Sequence, residues 1–326
     1  MPLVRVTSRT FATASKAWAS SFAMLLRITH ETRYDYAPPV GTAQHILHLQ
    51  PRDTLRQHVV QHQLQITPEP AQTLAQTDVY GNPMSFIALQ TPHDALSLVS
   101  RSVVKTLGAA APDAAALSVT WESVRNRFRY QVGARYDPAI DHVFASPHVP
   151  RHAAFHDYAL PSFTPGRPLH AAACELSARI HFDFRYESHS TDVSTPALEA
   201  LQQRRGVCQD FAHIFIACCR AMGLAARYVS GYLLTSPPPG QPRLIGSDAS
   251  HAWASVYVPD DHNGPGHWLD CDPTNNRCDW ETPGEDYVTV AMGRDYADVS
   301  PVRGVIHGGT HHTLAVAVTV EPAGDA

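Results

Sequence analysis

Residues 24–107 consist of short runs in which apolar and polar side chains alternate. Turn residues separate the runs, first at Ala37-Pro38-Pro39 and later at Asp78, Gly81 and Asn82. Such alternation is typical of strands that bury one face. The sequence therefore predicts an antiparallel β-sandwich domain over residues 24–105. The alternating runs are Leu25–Thr32, His45–Gln50, Val59–Thr67, Met84–Gln90 and Leu96–Leu107.

The second half of the chain changes to the spacing of helices, in which apolar residues recur every three or four positions. Alternation returns further on, which predicts that strands follow the helices. This order indicates an α+β fold class with a second, C-terminal domain over residues 166–321. The predicted helices are Pro168–Ile180, Pro196–Gln203 and Val207–Met222, and the predicted strands are Asp248–Val258 and His267–Asp272.

The remaining segments are less regular. Residues 106–165 are rich in Ala, Pro and His, and we expect a linker with one helix near Trp121–Phe128. Residues 1–23 lack acidic side chains and any continuous apolar run, so we expect a disordered extension, with Met24 as an alternative start. Residues 322–326 are expected to form a tail.

Composition narrows the possible partners. The 326 residues are 44% hydrophobic and 17% charged, which is typical of a globular protein. A formal charge of −5 gives no basic field for nucleic acid, so we expect no nucleic-acid partner. The chain also lacks an apolar run of about 20 residues, so we expect no membrane span.

The spacing of the cysteines and histidines indicates whether the chain forms a metal site, and the cysteines also indicate its cellular compartment. The six cysteines form no CxxC pair, so we expect neither a disulfide framework nor a zinc site, and we expect a reducing, cytoplasmic environment. The linker histidines follow no known ligand spacing, so no metal or other cofactor is expected. A metal-dependent hydrolase stays open as a less favoured alternative. These histidines are His142, His148, His152 and His156.

Cys208 is the candidate nucleophile. It follows Gly206 at the start of a predicted helix, where unpaired N–H groups and the helix dipole favour a thiolate. Cys218 and Cys219 lie in the middle of the same helix and are expected to pack as small hydrophobic residues. His213 lies five residues along the helix, a rotation of about 500°, which directs its ring away from the cysteine.

A better base lies on a predicted strand. Alternation places His251 on the same face as Trp253, Ser255 and Tyr257. The following strand carries Asp270 and Asp272 on one face, and either carboxylate could orient the imidazole. We favour Asp272 because it stands directly before Pro273, where the strand has to end.

Three segments resemble the signatures of the bacterial transglutaminase-like superfamily. They are Gly206–His213, Ser250–Trp253 and Asp272–Asn275. The resemblance extends to Arg27–Tyr34, which is similar to the opening of the β-rich domain in this family, and to Gly293–Pro301 near the end. It implies a papain-like core, in which a helix bearing Cys208 packs on an antiparallel sheet. It also implies that Cys208 is the nucleophile, His251 the base and Asp272 the orienting acid.

These roles predict a thiol enzyme that acts on peptide or protein amides through a thioester. Water as the acceptor would make it a protease or amidase, and an amine would make it a transglutaminase-type acyltransferase. Trp253 is expected to line the acyl-binding cleft, with a packing role inside the fold as the open alternative. A catalytically inactive peptide-binding module of the same fold remains the main alternative. Residues 24–105 carry no reactive cluster, so we expect them to be dispensable for triad geometry.

Overall fold

The computed structural model describes residues 23–110, 114–129, 132–133, 136–187, 195–235, 250–259 and 266–324. All but the last residue of the predicted N-terminal extension therefore lies outside the described residues. The strands are β1 Ala23–Leu47, β2 Gln57–Thr67, β3 Gln72–Thr77, β4 Pro83–Leu89, β5 His93–Leu107, β6 Arg185–Tyr186, β7 Arg205–Gly206, β8 Ala226–Leu233, β9 Ser250–Val258, β10 His267–Asp272, β11 Arg277–Trp280, β12 Tyr287–Gly293, β13 Val302–Gly308 and β14 His311–Pro322. The helices are α1 Ala114–Ser118, α2 Trp121–Arg127, α3 Ala153–Ala159, α4 Leu169–Asp183, α5 Ala197–Gln203, α6 Cys208–Ala221 and α7 Tyr296–Val299, with a 3-10 helix at Pro138–Val143.

The N-terminal region is built around the long strand β1. Its first part pairs with β5 and β14, and its second part pairs with β4 and β13. The register shifts between Asp35 and Val40, at the proline-containing break that the sequence indicates. Leu47, Ile87 and Leu98 from different strands pack in one core. The expectation of an antiparallel, sheet-rich N-terminal region is confirmed.

The two last strands belong to this N-terminal sheet. We placed residues up to 321 in the catalytic domain, but β13 and β14 both pair with β1. The register sets Val318 and Val320 opposite His30 and Ile28, and both valines are buried. Strand β14 thereby covers an edge of β1 that would otherwise expose unpaired backbone groups. The C-terminal domain therefore ends before β13, and not at residue 321 as predicted.

The core of the C-terminal domain is a second antiparallel sheet with helices packed against it. In the described part of the chain its strand order is β11-β10-β9-β8-β12, and α6 packs on β8 and β9. Almost every side chain of α6 is buried, Cys218 and Cys219 completely. The predicted helices over 168–180, 196–203 and 207–222 correspond to α4, α5 and α6. The α+β fold class is confirmed.

Side-chain amides join the N-terminal region to the free edge of β12. Gln57 accepts a hydrogen bond from the Thr289 N–H (2.7 Å) and donates to the Thr289 carbonyl (2.8 Å). Asn82 does the same at Met292, with distances of 2.8 Å and 2.7 Å. Each side-chain amide thus makes the two hydrogen bonds that the backbone of a neighbouring strand would make. We refer to Gln57 and Asn82 as the amide clamp.

A disulfide joins Cys271 on β10 to Cys278 on β11. The expectation that the cysteines form no disulfide is wrong for this pair. The hairpin register sets the two residues directly opposite each other, with their Cα atoms 4.1 Å apart, so that a separation of seven residues becomes a cross-strand contact. The other four cysteines are free. The expected reducing compartment rested on the absence of a disulfide and loses that support.

Candidate active site

The N-terminus of α6 is shaped by Gly206 and Asp210. The Asp210 carboxylate folds back and accepts a hydrogen bond from the Val207 N–H at 2.8 Å. A Cβ atom on Gly206 would lie only 2.6 Å from that carboxylate, so this turn requires glycine. Cys208 is the first residue of the helix. The N–H groups of Cys208 and Gln209 have no intrahelical acceptor at this position and can receive an anion.

His251 lies between Cys208 and Asp272. Its Nε2 atom is 2.7 Å from Asp272 Oδ2, and its ring lies close enough to the Cys208 side chain for the two to interact electrostatically. Because Nε2 faces the carboxylate, Nδ1 is the ring atom that remains for the sulfur. Cys208 is partly exposed, whereas the Asp272 side chain is fully buried. The structure thus brings together the three residues that the sequence singled out.

Asp272 accepts hydrogen bonds at both oxygens. Besides His251, the Asn275 side chain and the Tyr287 hydroxyl each donate to Oδ2 at 2.7 Å. The backbone N–H groups of Thr274 and Asn275 donate to Oδ1 at 2.9 Å and 3.3 Å. Sequence reasoning gave no role to Asn275 or Tyr287. Tyr287 reaches the site from β12, and no local pattern marks it.

These contacts set the charges of His251 and Asp272. Burial alone would lower the pKa of His251, but its interactions with Asp272 and Cys208 outweigh burial and raise it to about 10. Burial alone would raise the pKa of Asp272, but the bonds from His251, Asn275 and Tyr287 lower it below its usual range. At neutral pH the pair is therefore an imidazolium and a carboxylate beside the thiol.

Asp270 has a different environment from Asp272. It accepts hydrogen bonds from Trp253 Nε1 (3.2 Å) and from the Ser255 hydroxyl, and it makes none with His251. Burial raises its pKa to about 6. The prediction that these side chains share one face of the sheet is confirmed. His251 hydrogen-bonds Asp272, and Trp253 and Ser255 hydrogen-bond Asp270.

The expected contact of Trp253 with substrate needs correction. Its side chain is fully buried and packs against Tyr287 and Val229, with its ring stacked under His251 at a centroid distance of 6.2 Å. Gly231 makes room for it, because a Cβ there would lie 2.6 Å from the indole. Alternation predicted the correct face, but that face is covered. The Trp253 ring packs against the imidazole of His251 inside the fold and presents no surface to a substrate.

His213, the other histidine considered as a base, is a structural residue. His213 accepts a hydrogen bond from the Tyr296 N–H at 3.2 Å and stacks on His148, and burial lowers its pKa to about 3. It is therefore a packed helix residue, as expected. In the described part of the chain, no three His, Cys, Asp or Glu side chains are grouped so that they could hold a metal ion. Nor does any helix of those residues have the length and apolarity required to cross a bilayer.

Comparison with known proteins agrees with this architecture. Residues 26–105 match the bacterial transglutaminase-like N-terminal region, and residues 164–273 match the transglutaminase-like superfamily. An uncharacterized protein of Mycobacterium tuberculosis is 42% identical over 308 residues, covering 92% of this chain and 94% of that protein. An uncharacterized protein of Mycobacterium leprae is 32% identical over 298 residues, covering 90% of this chain and 98% of that protein.

More distant matches concern the core and the fold. The peptide-N(4)-(N-acetyl-beta-glucosaminyl)asparagine amidase of Gallus gallus is 35% identical over 79 residues, which are 24% of this chain and 9% of that enzyme. The crystal structure of a "putative cysteine protease" from Cytophaga hutchinsonii has a TM-score of 0.68 at 20% identity, covering 94% of this chain and 93% of that one. The chain belongs to the transglutaminase-like superfamily and carries the bacterial transglutaminase-like N-terminal region before its core.

Proposed function

We propose that Cys208, His251 and Asp272 are the catalytic triad of a thiol enzyme that cleaves amide bonds through a thioester. The observation that carries the proposal is the position of His251, which hydrogen-bonds the buried carboxylate of Asp272 and interacts electrostatically with the Cys208 side chain. The raised pKa of His251 supports it, because an imidazolium stabilises a neighbouring thiolate and can protonate a leaving amine.

The first half of the reaction forms the thioester. The Cys208 thiolate attacks the carbonyl carbon, and a C–S bond forms while the carbonyl oxygen becomes an oxyanion. The N–H groups of Cys208 and Gln209 at the start of α6 stabilise that oxyanion. The tetrahedral intermediate then collapses, the C–N bond breaks, and the imidazolium of His251 donates its proton to the departing nitrogen. An acyl-thioester and neutral His251 remain.

The second half transfers the acyl group to an acceptor. His251 removes a proton from water or from an amine, the acceptor attacks the thioester carbonyl, and the C–S bond breaks to restore the thiolate and imidazolium. Water gives hydrolysis and an amine gives a new amide. The similarity of the core to an enzyme named as an amidase supports hydrolysis, whereas membership of the transglutaminase-like superfamily keeps transamidation as the second candidate.

The substrate class that we propose is a peptide or protein amide. Tyr186 is 53% exposed, packs against Phe211 and interacts electrostatically with Cys208, so its ring borders the space in front of the sulfur. A flat aromatic side chain at this place can pack along an acyl chain or a peptide backbone. Trp253, buried beneath His251, cannot take this role.

Activity profiling tests the proposal. The protein is incubated with peptide libraries and glutamine-amide libraries, with and without an added primary amine, and products are identified by mass spectrometry. We expect turnover that Cys208→Ala abolishes and that Cys174→Ala, at another free cysteine, leaves unchanged. Products that contain the amine would assign transamidation, and free acids would assign hydrolysis.

Two alternatives give different results in the same assay. An inactive peptide-binding module would show no turnover, and Cys208 would react slowly with iodoacetamide. A metal-dependent hydrolase would lose activity to a chelator and keep it after thiol alkylation. Either result would contradict the thioester mechanism.

A further inference from the structure

A cavity of about 710 Å³ lies at the end of the catalytic sheet remote from His251. The hairpin between β3 and β4 contributes Tyr80, the region of the 3-10 helix contributes His142, and the sheet contributes Arg227, Tyr257 and Trp268. The volume is within the range of small-molecule sites. Tyr257 is six residues along β9 from His251, about 20 Å in a strand, so this cavity is separate from the triad.

Arg227 is the unusual group in this cavity. Its guanidinium stacks on Trp268, with Cζ 3.8 Å from the ring centroid. Its Nε atom is inaccessible to solvent and has no hydrogen-bond partner among the described residues. Asp270 attracts it electrostatically, but both oxygens of Asp270 already accept hydrogen bonds from Trp253 and Ser255.

Arg220 shows how this protein otherwise accommodates a buried arginine. Its guanidinium donates to the carbonyls of His142, Ala226 and Arg294 and to the Ser146 hydroxyl. Arg227 has no comparable set of acceptors within the described ranges. Only the Nε atom of Arg227 is shielded from water, and the side chain as a whole is partly accessible. The terminal N–H groups of its guanidinium are therefore available to a ligand in the cavity.

His142 is a second unpartnered group. It is 7% exposed, packs between Tyr80 and Trp268, and has no hydrogen-bond partner for Nδ1 among the residues that the structure describes. Burial and the nearby arginines lower its pKa to about 3, so it is neutral at pH 7. The cavity thus presents the guanidinium groups of Arg227 and Arg127, one neutral imidazole nitrogen and several aromatic rings.

We propose that this cavity binds a small organic carboxylate that carries an aromatic ring, with the carboxylate on Arg227 and the ring beside Tyr80 and Tyr257. A guanidinium presents parallel N–H groups that match the two oxygens of a carboxylate. Asp137 and Asp141 line the same cavity, and their negative charge disfavours anions of higher charge such as phosphate.

Isothermal titration calorimetry of the full chain with 3-phenylpropionate tests the proposal. The alcohol 3-phenylpropan-1-ol serves as the uncharged analogue, and inorganic phosphate serves as the anion without a ring. We expect saturable binding of 3-phenylpropionate and at least tenfold weaker binding of the alcohol and of phosphate.

Variants locate the site. Arg227→Met and Trp268→Leu should each weaken binding of 3-phenylpropionate at least tenfold. Arg179→Met is the matched control, because Arg179 also stacks on an aromatic ring, Tyr158 at 4.6 Å, but lies outside the cavity. This control should bind the probe like the wild type. If Arg227→Met does not fold, Trp268→Leu alone decides the outcome.

Melting temperatures give an independent readout. Arg179→Met should melt lower than the wild type because it loses hydrogen bonds to the Tyr158 carbonyl and the Ser162 hydroxyl. Arg227→Met should not melt lower than this control. The proposal is overturned if the wild type fails to bind 3-phenylpropionate, if the alcohol or phosphate binds equally well, or if both cavity variants keep wild-type affinity.

Discussion

Asp272→Asn is the substitution that tests the site most directly. The carboxylate of Asp272 accepts from three side chains at Oδ2 and from two backbone N–H groups at Oδ1. An asparagine amide has one oxygen and one NH₂ group. With the new NH₂ group at the Oδ1 position, the two backbone N–H groups lose their acceptor. With it at the Oδ2 position, His251 and the Tyr287 hydroxyl can accept from it, but the Asn275 NH₂ group loses its acceptor. The variant therefore loses at least one hydrogen bond as well as the negative charge.

The expected loss follows from these contacts. A hydrogen bond to a charged group contributes about 1.5–3 kcal/mol, so losing one or two reduces the free energy of unfolding by about 1.5–6 kcal/mol. Without the carboxylate, burial lowers the pKa of His251 from its value of about 10, and the imidazolium beside the thiol is lost at neutral pH. Turnover should fall about 10²–10⁴-fold, by analogy with the serine triad.

The loss should depend on pH. The pKa of Asp272 is lowered by folding, so its contribution to stability exists above the unfolded value of 3.8 and disappears as the pH falls through the folded pKa. The pKa of His251 is raised, so its contribution is complete below the unfolded value of 6.5 and disappears as the pH rises through about 10. The difference between wild type and variant should be largest between these limits, near pH 5.

Asp270→Asn is the matched control. The Trp253 N–H can bond to the oxygen of the new amide, and the Ser255 hydroxyl can reverse its role and accept from the NH₂ group. Its turnover should fall less than about tenfold. The assays are urea unfolding at several pH values, the rate of Cys208 alkylation by iodoacetamide, and kcat on a substrate found by profiling. A larger kcat loss for Asp270→Asn would refute the assignment of the third triad position.

Three further predictions concern neighbouring groups. Tyr287→Phe removes one hydrogen bond to Asp272, so it should raise the pKa of that carboxylate and reduce the free energy of unfolding near neutral pH by about 1.5–3 kcal/mol. Unfolding measured from pH 3 to 7 should show that this loss of stability disappears in acid. A loss of stability that is equal at every pH would contradict the prediction. Cys208→Ala should abolish labelling by iodoacetamide at neutral pH, and a second cysteine labelled equally fast in the wild type would count against the nucleophile. Replacing Gln57 and Asn82 together by alanine should slow alkylation, by up to about 10²-fold if the triad moves by about 1 Å; an unchanged rate would show that the clamp does not act on the triad.

Local patterns predicted the elements that carry the triad. The apolar stripe of α6 and the glycines at its ends fix the helix that presents Cys208. Alternation along β9 and β10 placed His251 on the face that meets the aspartates. Periodicity could not separate Asp270 from Asp272, because both have the same strand parity. The two aspartates are distinguished by Tyr287 and Asn275, whose side chains hydrogen-bond Asp272 and not Asp270.

Contacts between distant parts of the sequence could not be predicted in this way. Periodicity reports the face on which a side chain lies and not what covers that face, so Trp253 was expected at the surface although it is buried. The disulfide depends on the register of the β10–β11 hairpin, which the spacing of Cys271 and Cys278 does not reveal by itself. The return of β14 to β1 joins residues almost 300 positions apart, such as Ile28 and Val320.

The amide clamp changes the role expected for the N-terminal region. Residues 24–105 carry no reactive cluster, which led us to expect that triad geometry is independent of them. Yet the clamp holds β12 at Thr289 and Met292, and the same strand begins with Tyr287, whose hydroxyl bonds Asp272. Because β12 is an edge strand of the core sheet, the clamp supplies hydrogen bonds on a side where no other strand of the described core pairs with it. The N-terminal region therefore restrains the strand that carries Tyr287, whose hydroxyl donates to the carboxylate that His251 contacts.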